Sequence, residues 1–294
     1  MKKSYLINLI LVGLIIGLYW FNTVDTDPVA GLKQLSPLTS DDIQHIIISR
    51  PNTADIILEK SASGWHITQP IKAIANNTRV ELLLSFLNTP SYAQISAVTD
   101  GDLEQFELAP ANLVLTLNQF NVQFGGIEAI SKHRYVLIGD VIHLITDRIT
   151  PLLYANASSF IENRLIAKNN IITKLVLPKL NTDNTLSAES TIIENLNGHW
   201  QSNLPAITTD QITAIVQNWQ YAYALQVLPI KDTMPATSMP HKVQVWFNNQ
   251  ILPAEYDLTI NGNALFIKDP QQMLNYQFTL ALLTQLLPSQ PSEQ

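Results

Sequence analysis

Apolar positions are distributed unevenly along this chain. From Tyr5 to Phe21 they run almost unbroken, with Asn8 as the polar interruption. At about 1.5 Å per helical residue the run spans roughly 25 Å, the lower limit for crossing a bilayer. Beyond residue 40 the runs are short and β-branched. Ile46-Ile47-Ile48 and Ile56-Ile57-Leu58 flank Ser49-Arg50-Pro51-Asn52, a turn composition, and predict a hairpin. Gly64 permits a tight turn into a third strand, Trp65-His66-Ile67-Thr68, which Pro70 closes by withdrawing a ladder donor. Val80, Leu83, Leu84 and Leu87 then follow the helical period.

The same order returns later. Ile171 to Val176, Thr191-Ile192-Ile193, Gly198-His199-Trp200 and Pro205 lead into a helix whose apolar stripe is Ile212, Ile215, Val216 and Trp219. Thr208 with Gln211 forms a capping-box pattern at its start. Pro70 and Pro205 each lie five residues beyond Trp65 and Trp200, Ile57 and Ile192 eight before, and Val80 and Ile215 fifteen after. Gly64, Trp65, Pro70, Gly198, Trp200 and Pro205 therefore punctuate an internal repeat, with the tryptophans expected in the core. Further hairpins are predicted for Leu113–Leu117 with Val122–Phe124, for Tyr135–Ile138 with Val141–Ile145 across Gly139-Asp140, and for Leu265–Lys268 with Leu274–Phe278. Val243–Phe247 leads into a similar turn. Each unit closes on a leucine-bearing helical stretch, around Leu152-Leu153 and Leu282–Leu287.

These patterns predict an α+β fold: a single N-terminal transmembrane helix followed by two similar antiparallel-sheet-plus-helix units. The expected divisions are tail and anchor over 1–21, a linker over 22–40, a first unit over 41–165, a second over 166–288 and a polar tail over 289–294. Lys2 and Lys3 precede the apolar run, and Asp25 and Asp27 follow it. The positive-inside rule then leaves the short tail in the cytoplasm and exports the rest. The exit, Tyr19-Trp20-Phe21-Asn22-Thr23-Val24, is bulky where signal cleavage needs small residues, which favours an uncleaved anchor over a cleaved signal peptide. Gly13 and Gly17 form a G-x-x-x-G pair, a candidate face for homodimerisation of the helix.

The strand pair, Gly-Trp-x-x-x-x-Pro, Ala75 and Val80 leading into a leucine helix resemble the start of a bacterial family catalogued as domain of unknown function 4340. Phe106-x-Leu108-x-Pro110, Phe124-Gly125, Arg134-Tyr135-Val136 and Val141-x-His143-Leu144 extend the resemblance over most of residues 40–153. The chain departs where the family often has Gly between Phe and Leu, since Glu107 stands there. The resemblance implies an inner-membrane protein with its bulk in the periplasm, related to auxiliary components of ABC-type transport or gliding-motility systems. It carries no catalytic residues.

Composition narrows the chemistry. The chain has no cysteine, which removes disulfides, thiolate metal sites and cysteine nucleophiles. Setting aside Lys2 and Lys3 lowers the 17 basic residues to 15 against 24 acidic ones, a net of −9 in place of −7. A surface of that sign without a basic stripe argues against nucleic acid. The six histidines (His45, His66, His133, His143, His199 and His241) show no metal-ligand spacing. Asp100, Asp102 and Glu104 suit the acidic start of a solvated helix better than a calcium loop. No catalytic, cofactor or metal residue is assigned. The favoured reading is a non-enzymatic binding or scaffold component of an envelope or transporter-associated complex, with another envelope or ABC-transporter-type protein as partner. The alternatives are an envelope hydrolase with a non-local site, for example joining His143, Arg134 and Asp147, or a carrier of a small ligand or lipid in an inter-unit cleft.

Overall fold

Period-two burial builds the first sheet in the computed structural model, which describes residues 12–14, 32–96, 100–181, 185–205, 207–230 and 240–289. A short strand, β1 (Lys33–Gln34), precedes β2 (His45–Ser49), β3 (Ile56–Ser61) and β4 (Gly64–Gln69). Ile46 and Ile48, Ile56 and Leu58, and Trp65 and Ile67 face the core, while the residues between them look outward. The pairing is antiparallel, with Ile46 opposite Leu58 and Ile48 opposite Ile56. Gly64 opens β4 at a φ of 112°, a conformation that costs glycine little.

β5 (Ala73–Ile74), β6 (Pro90–Ser96), β7 (Val114–Leu117), β8 (Phe120–Ile127), β9 (Arg134–Ile138) and β10 (Val141–Ile145) complete a ten-stranded sheet. Its order is β1-β6-β10-β9-β8-β7-β2-β3-β4-β5. The second sheet comprises β11 (Ile172–Leu180), β12 (Leu186–Leu196), β13 (His199–Ser202), β14 (Gln226–Pro229), β15 (His241–Phe247), β16 (Ala254–Asn261), β17 (Ala264–Asp269) and β18 (Leu274–Thr279). These eight run β13-β12-β11-β15-β16-β17-β18-β14. With β1 and β5 set aside, the first sheet runs β4-β3-β2-β7-β8-β9-β10-β6, position for position the same order.

Among the described residues from 32 onward the α-helices are α1 (Asn77–Leu84), α2 (Asp100–Gln105), α3 (Thr150–Leu153), α4 (Thr209–Gln220) and α5 (Leu283–Leu286). Asn76 caps α1 by accepting the Arg79 N–H, and the helix buries Val80, Leu83 and Leu84. Thr208 and Gln211 cap α4 reciprocally, and that helix buries Ile212, Ile215, Val216 and Trp219. The Trp219 Nε1–H donates to the Leu286 carbonyl at 2.8 Å, so α4 and α5 are locked by a buried bond. One continuous core joins the inner faces of both sheets and includes Trp65, Phe86, Phe160, Trp219, Tyr256 and Phe278. Trp200 is half-buried against it.

This architecture corrects the α+β expectation. Among the described residues the molecule is mostly antiparallel sheet, eighteen strands in two sheets with few helices. The leucines read as closing helices sit on single turns, α3 and α5. One turn fixes several residues for one hydrogen bond, so it does not propagate without a longer amphipathic stripe. Stretches without a clean period, β6 and the first half of β12, became strand instead. No described helix is long and apolar enough to cross a membrane. The expected anchor falls almost wholly outside the described residues: Gly13 lies in the helical segment 12–14, and Gly17 is not described.

Candidate binding cleft between the two sheets

The segment that joins the two sheets behaves as a strand shared by both. On one side Ala75 bridges Ile161, with the Asn76 N–H donating to the Phe160 carbonyl at 2.7 Å and the Glu162 N–H to that of Ile74 at 2.9 Å. On the other side Arg164 bridges Tyr223. There the Leu165 N–H donates to the Ala222 carbonyl at 3.0 Å, and the Ala224 N–H to that of Asn163 at 2.9 Å. Alternation then decides where side chains go: Ile161 and Leu165 sink into the core, while Glu162 and Arg164 stay near the surface.

A cleft of about 610 Å³ opens over this joint. Trp65, Ile74 and the first turn of α1 (Asn77, Thr78, Arg79) wall it from the first sheet; Tyr223, Gln272, Leu274 and Tyr276 wall it from the second. Glu162, Arg164, Lys168 and Asn169 of the joining segment line it between them. The Arg164 guanidinium sits 4.9 Å from the Tyr223 ring centroid and donates to the Tyr223 hydroxyl from Nε at 3.3 Å and Nη2 at 3.0 Å. The Glu162 carboxylate accepts the Arg164 N–H at 3.0 Å. Burial, followed by the Asp269 and Glu162 carboxylates, pushes the Tyr276 phenol far above its ordinary value, so it stays protonated. Arg79 also lines a second hollow of about 330 Å³, with Ser158, Ser159, Asn163 and Gln277.

Part of the later motifs that carried the family resemblance, around Phe106, Leu108, Gly125 and Arg134-Tyr135, meets elsewhere, on the outer face of the first sheet. Leu108, Leu137 and Ile142 form a small separate core, flanked by Leu103, Phe106 and Tyr135. The Phe106 and Tyr135 rings are 4.7 Å apart. The Phe106 carbonyl accepts the Gly126 N–H at 2.8 Å, and a side chain at Gly125 would run into that same oxygen. Arg134 donates to the Gly125 carbonyl at 2.5 Å and to Asp147 Oδ2 at 2.7 Å. Asp147 Oδ1 in turn accepts the N–H groups of Ile149 and Thr150, at 3.2 and 3.0 Å. Burial raises the Asp147 carboxyl, but these donors outweigh it and hold the group below its ordinary value.

His143 does not join that pair. Its Nδ1 lies 3.0 Å from the Ser91 hydroxyl, with both residues buried between β10 and β6. Burial, aided by Lys33, lowers its pKa, so the ring is neutral. Of the repeat residues, Trp65 lines the cleft, while Gly64, Pro70, Gly198, Trp200 and Pro205 do not. Among the described residues no cluster of three or more His, Asp or Glu side chains fits a metal ion. Sequence reasoning did not single out Arg79 and Lys168, or Arg164 as a partner of Tyr223. The available signal was the polar stretch Glu162-Asn163-Arg164 at the boundary between the expected units. Comparison with protein-family models, curated proteins and solved structures found no match.

Proposed function

We propose that this chain is a non-enzymatic binding component of the cell envelope, held at the membrane through its N-terminal apolar run, and that it engages its ligand in the cleft between the two sheets. The carrying observation is the cleft itself. Its size is that of an ordinary ligand site, and its walls come from both sheets and the segment shared between them. The amide and charged lining favours a polar occupant over an acyl chain. The hydrolase reading is weakened by where its residues sit: His143 is sealed against Ser91, and Arg134 and Asp147 hold a turn.

A photo-activatable residue at Tyr223, 53% exposed on the cleft wall, tests this in intact membranes. A discrete adduct from position 223, absent from the same probe at Ile251, is the expected result. Ile251 is 95% exposed and is not part of the cleft lining. No adduct at 223, or an identical set at both positions, overturns the reading.

A further inference from the structure

The geometry points to a small, soluble molecule bearing a phosphoryl dianion and hydroxyl groups as the occupant of this cleft, an inference that rests on the cleft being the binding site. Arg79, Arg164 and Lys168 line it against a single acidic side chain, Glu162. That leaves two positive charges uncompensated, in a chain whose overall net charge is −7. Among the described residues none of the three forms an ion pair, whereas Lys174, Lys179 and Lys242 each meet a carboxylate.

The donors are of the right kind. Guanidinium groups present planar forks that match phosphoryl oxygens, and the ammonium of Lys168 adds a mobile point charge. Arg164 is already oriented, because Tyr223 holds its Nε and Nη2. The first turn of α1 lies along the same wall and adds the positive end of its dipole, although the cations and the cavity carry the inference. Around them Ser63, Asn76, Asn77, Thr78, Asn169 and Gln272 offer amides and hydroxyls suited to hydroxyl groups. The volume of about 610 Å³ leaves room for a sugar-sized body beyond the phosphoryl group.

Calorimetric titration of the full-length chain in detergent micelles tests this with glucose 6-phosphate, inorganic phosphate and glucose, alongside sedimentation with phosphatidylglycerol vesicles. Saturable binding of glucose 6-phosphate, displaced by inorganic phosphate and not matched by glucose, is expected. Arg79→Gln and Lys168→Gln each weaken it at least about tenfold, while Lys242→Gln, outside the cleft, leaves it unchanged. Equal binding of glucose, equal weakening by Lys242→Gln, or binding to vesicles alone overturns the inference. Absence of phosphate binding with the Tyr223 adduct retained removes the phosphoryl ligand and leaves the binding role. Loss of both removes the two together.

Discussion

Asn118 and Asn248 stand at corresponding places in the two sheets and make the same pair of bonds. Asn118 Oδ1 accepts the Gln44 and His45 N–H groups at 2.9 and 3.1 Å, and its own N–H donates to the His45 carbonyl at 2.8 Å. Asn248 Oδ1 accepts the Ile171 N–H at 3.2 Å, and its N–H donates to the Ile171 carbonyl at 3.0 Å. Each asparagine thus pins the turn after β7 or β15 to the chain entering β2 or β11. Asn118 additionally donates from Nδ2 to the Asp42 carbonyl at 2.8 Å and has a φ of 54°. Asn118→Ala is expected to cost about 2–3 kcal/mol, losing those bonds and straining a left-handed residue. Asn248→Ala costs about 1 kcal/mol. Urea unfolding midpoints check the order; an equal or reversed cost refutes the assignment.

Arg134 and Asp147 are both largely buried, so breaking the pair leaves a charge without its partner. Arg134→Ala is expected to cost roughly 3 kcal/mol. The Asp147 carboxyl is held below its ordinary 3.8, so its contribution is complete above that value and is lost as pH falls through the folded one. Unfolding followed from about pH 5 to about pH 2 should show a stability loss that Asp147→Asn flattens. An unchanged slope in that variant contradicts the account.

Glu107 occupies the left-handed region at a φ of 59°, where an L side chain is strained. This is the position at which the resembled family often carries glycine. Glu107→Gly is expected to raise stability by about 0.5–1 kcal/mol. Gly125→Ala acts in the opposite direction, because its Cβ meets the Phe106 backbone carbonyl, which cannot swing aside. Gly126→Ala costs less, since its neighbour is the flexible end of Glu107. Thermal unfolding of the three variants gives the ranking directly.

Asp269, 5% exposed at the end of β17, has its pKa raised by burial despite the N–H groups of Gln271 and Gln272 at 2.9 and 3.0 Å. A carboxyl whose folded pKa lies above the unfolded value loses stability as pH rises through that interval, and the loss persists at neutrality. Asp269→Asn keeps an Oδ1 acceptor for both N–H groups and removes the ionisation. It should raise the unfolding midpoint at pH 7 and leave it near the parent value below about pH 3. A lower midpoint at pH 7 would show that the charge is needed.

Much of the first sheet's centre was legible because Ile46, Ile48, Ile56 and Leu58 alternate cleanly with residues facing away from the core. The stripes of α1 and α4, and the Thr208–Gln211 cap, were legible for the same reason at another period. β6 was not, because Tyr92 to Ser96 are exposed on both faces and leave no alternation to detect. The outer half of β12 is equally polar. The cleft was least visible of all. Arg79, Arg164 and Tyr223 come from three separated segments, and their meeting depends on the 160–165 pairing, which has no local period.

The double pairing of residues 160–165 also bears on how load passes through the molecule. Parting the halves at this seam would require one of its two pairings to yield, either the backbone bonds of Asn76 and Glu162 or those of Leu165 and Ala224. Tension applied at β1 meets a weaker point first, since that strand is held by only two register pairs, Lys33 with Ser91 and Gln34 with Pro90. Under pulling from the N-terminal side, β1 would peel away like a seam opened at its end, before the central joint was sheared. Such a chain would yield first at its N-terminal edge strand, while the paired centre still held behind it.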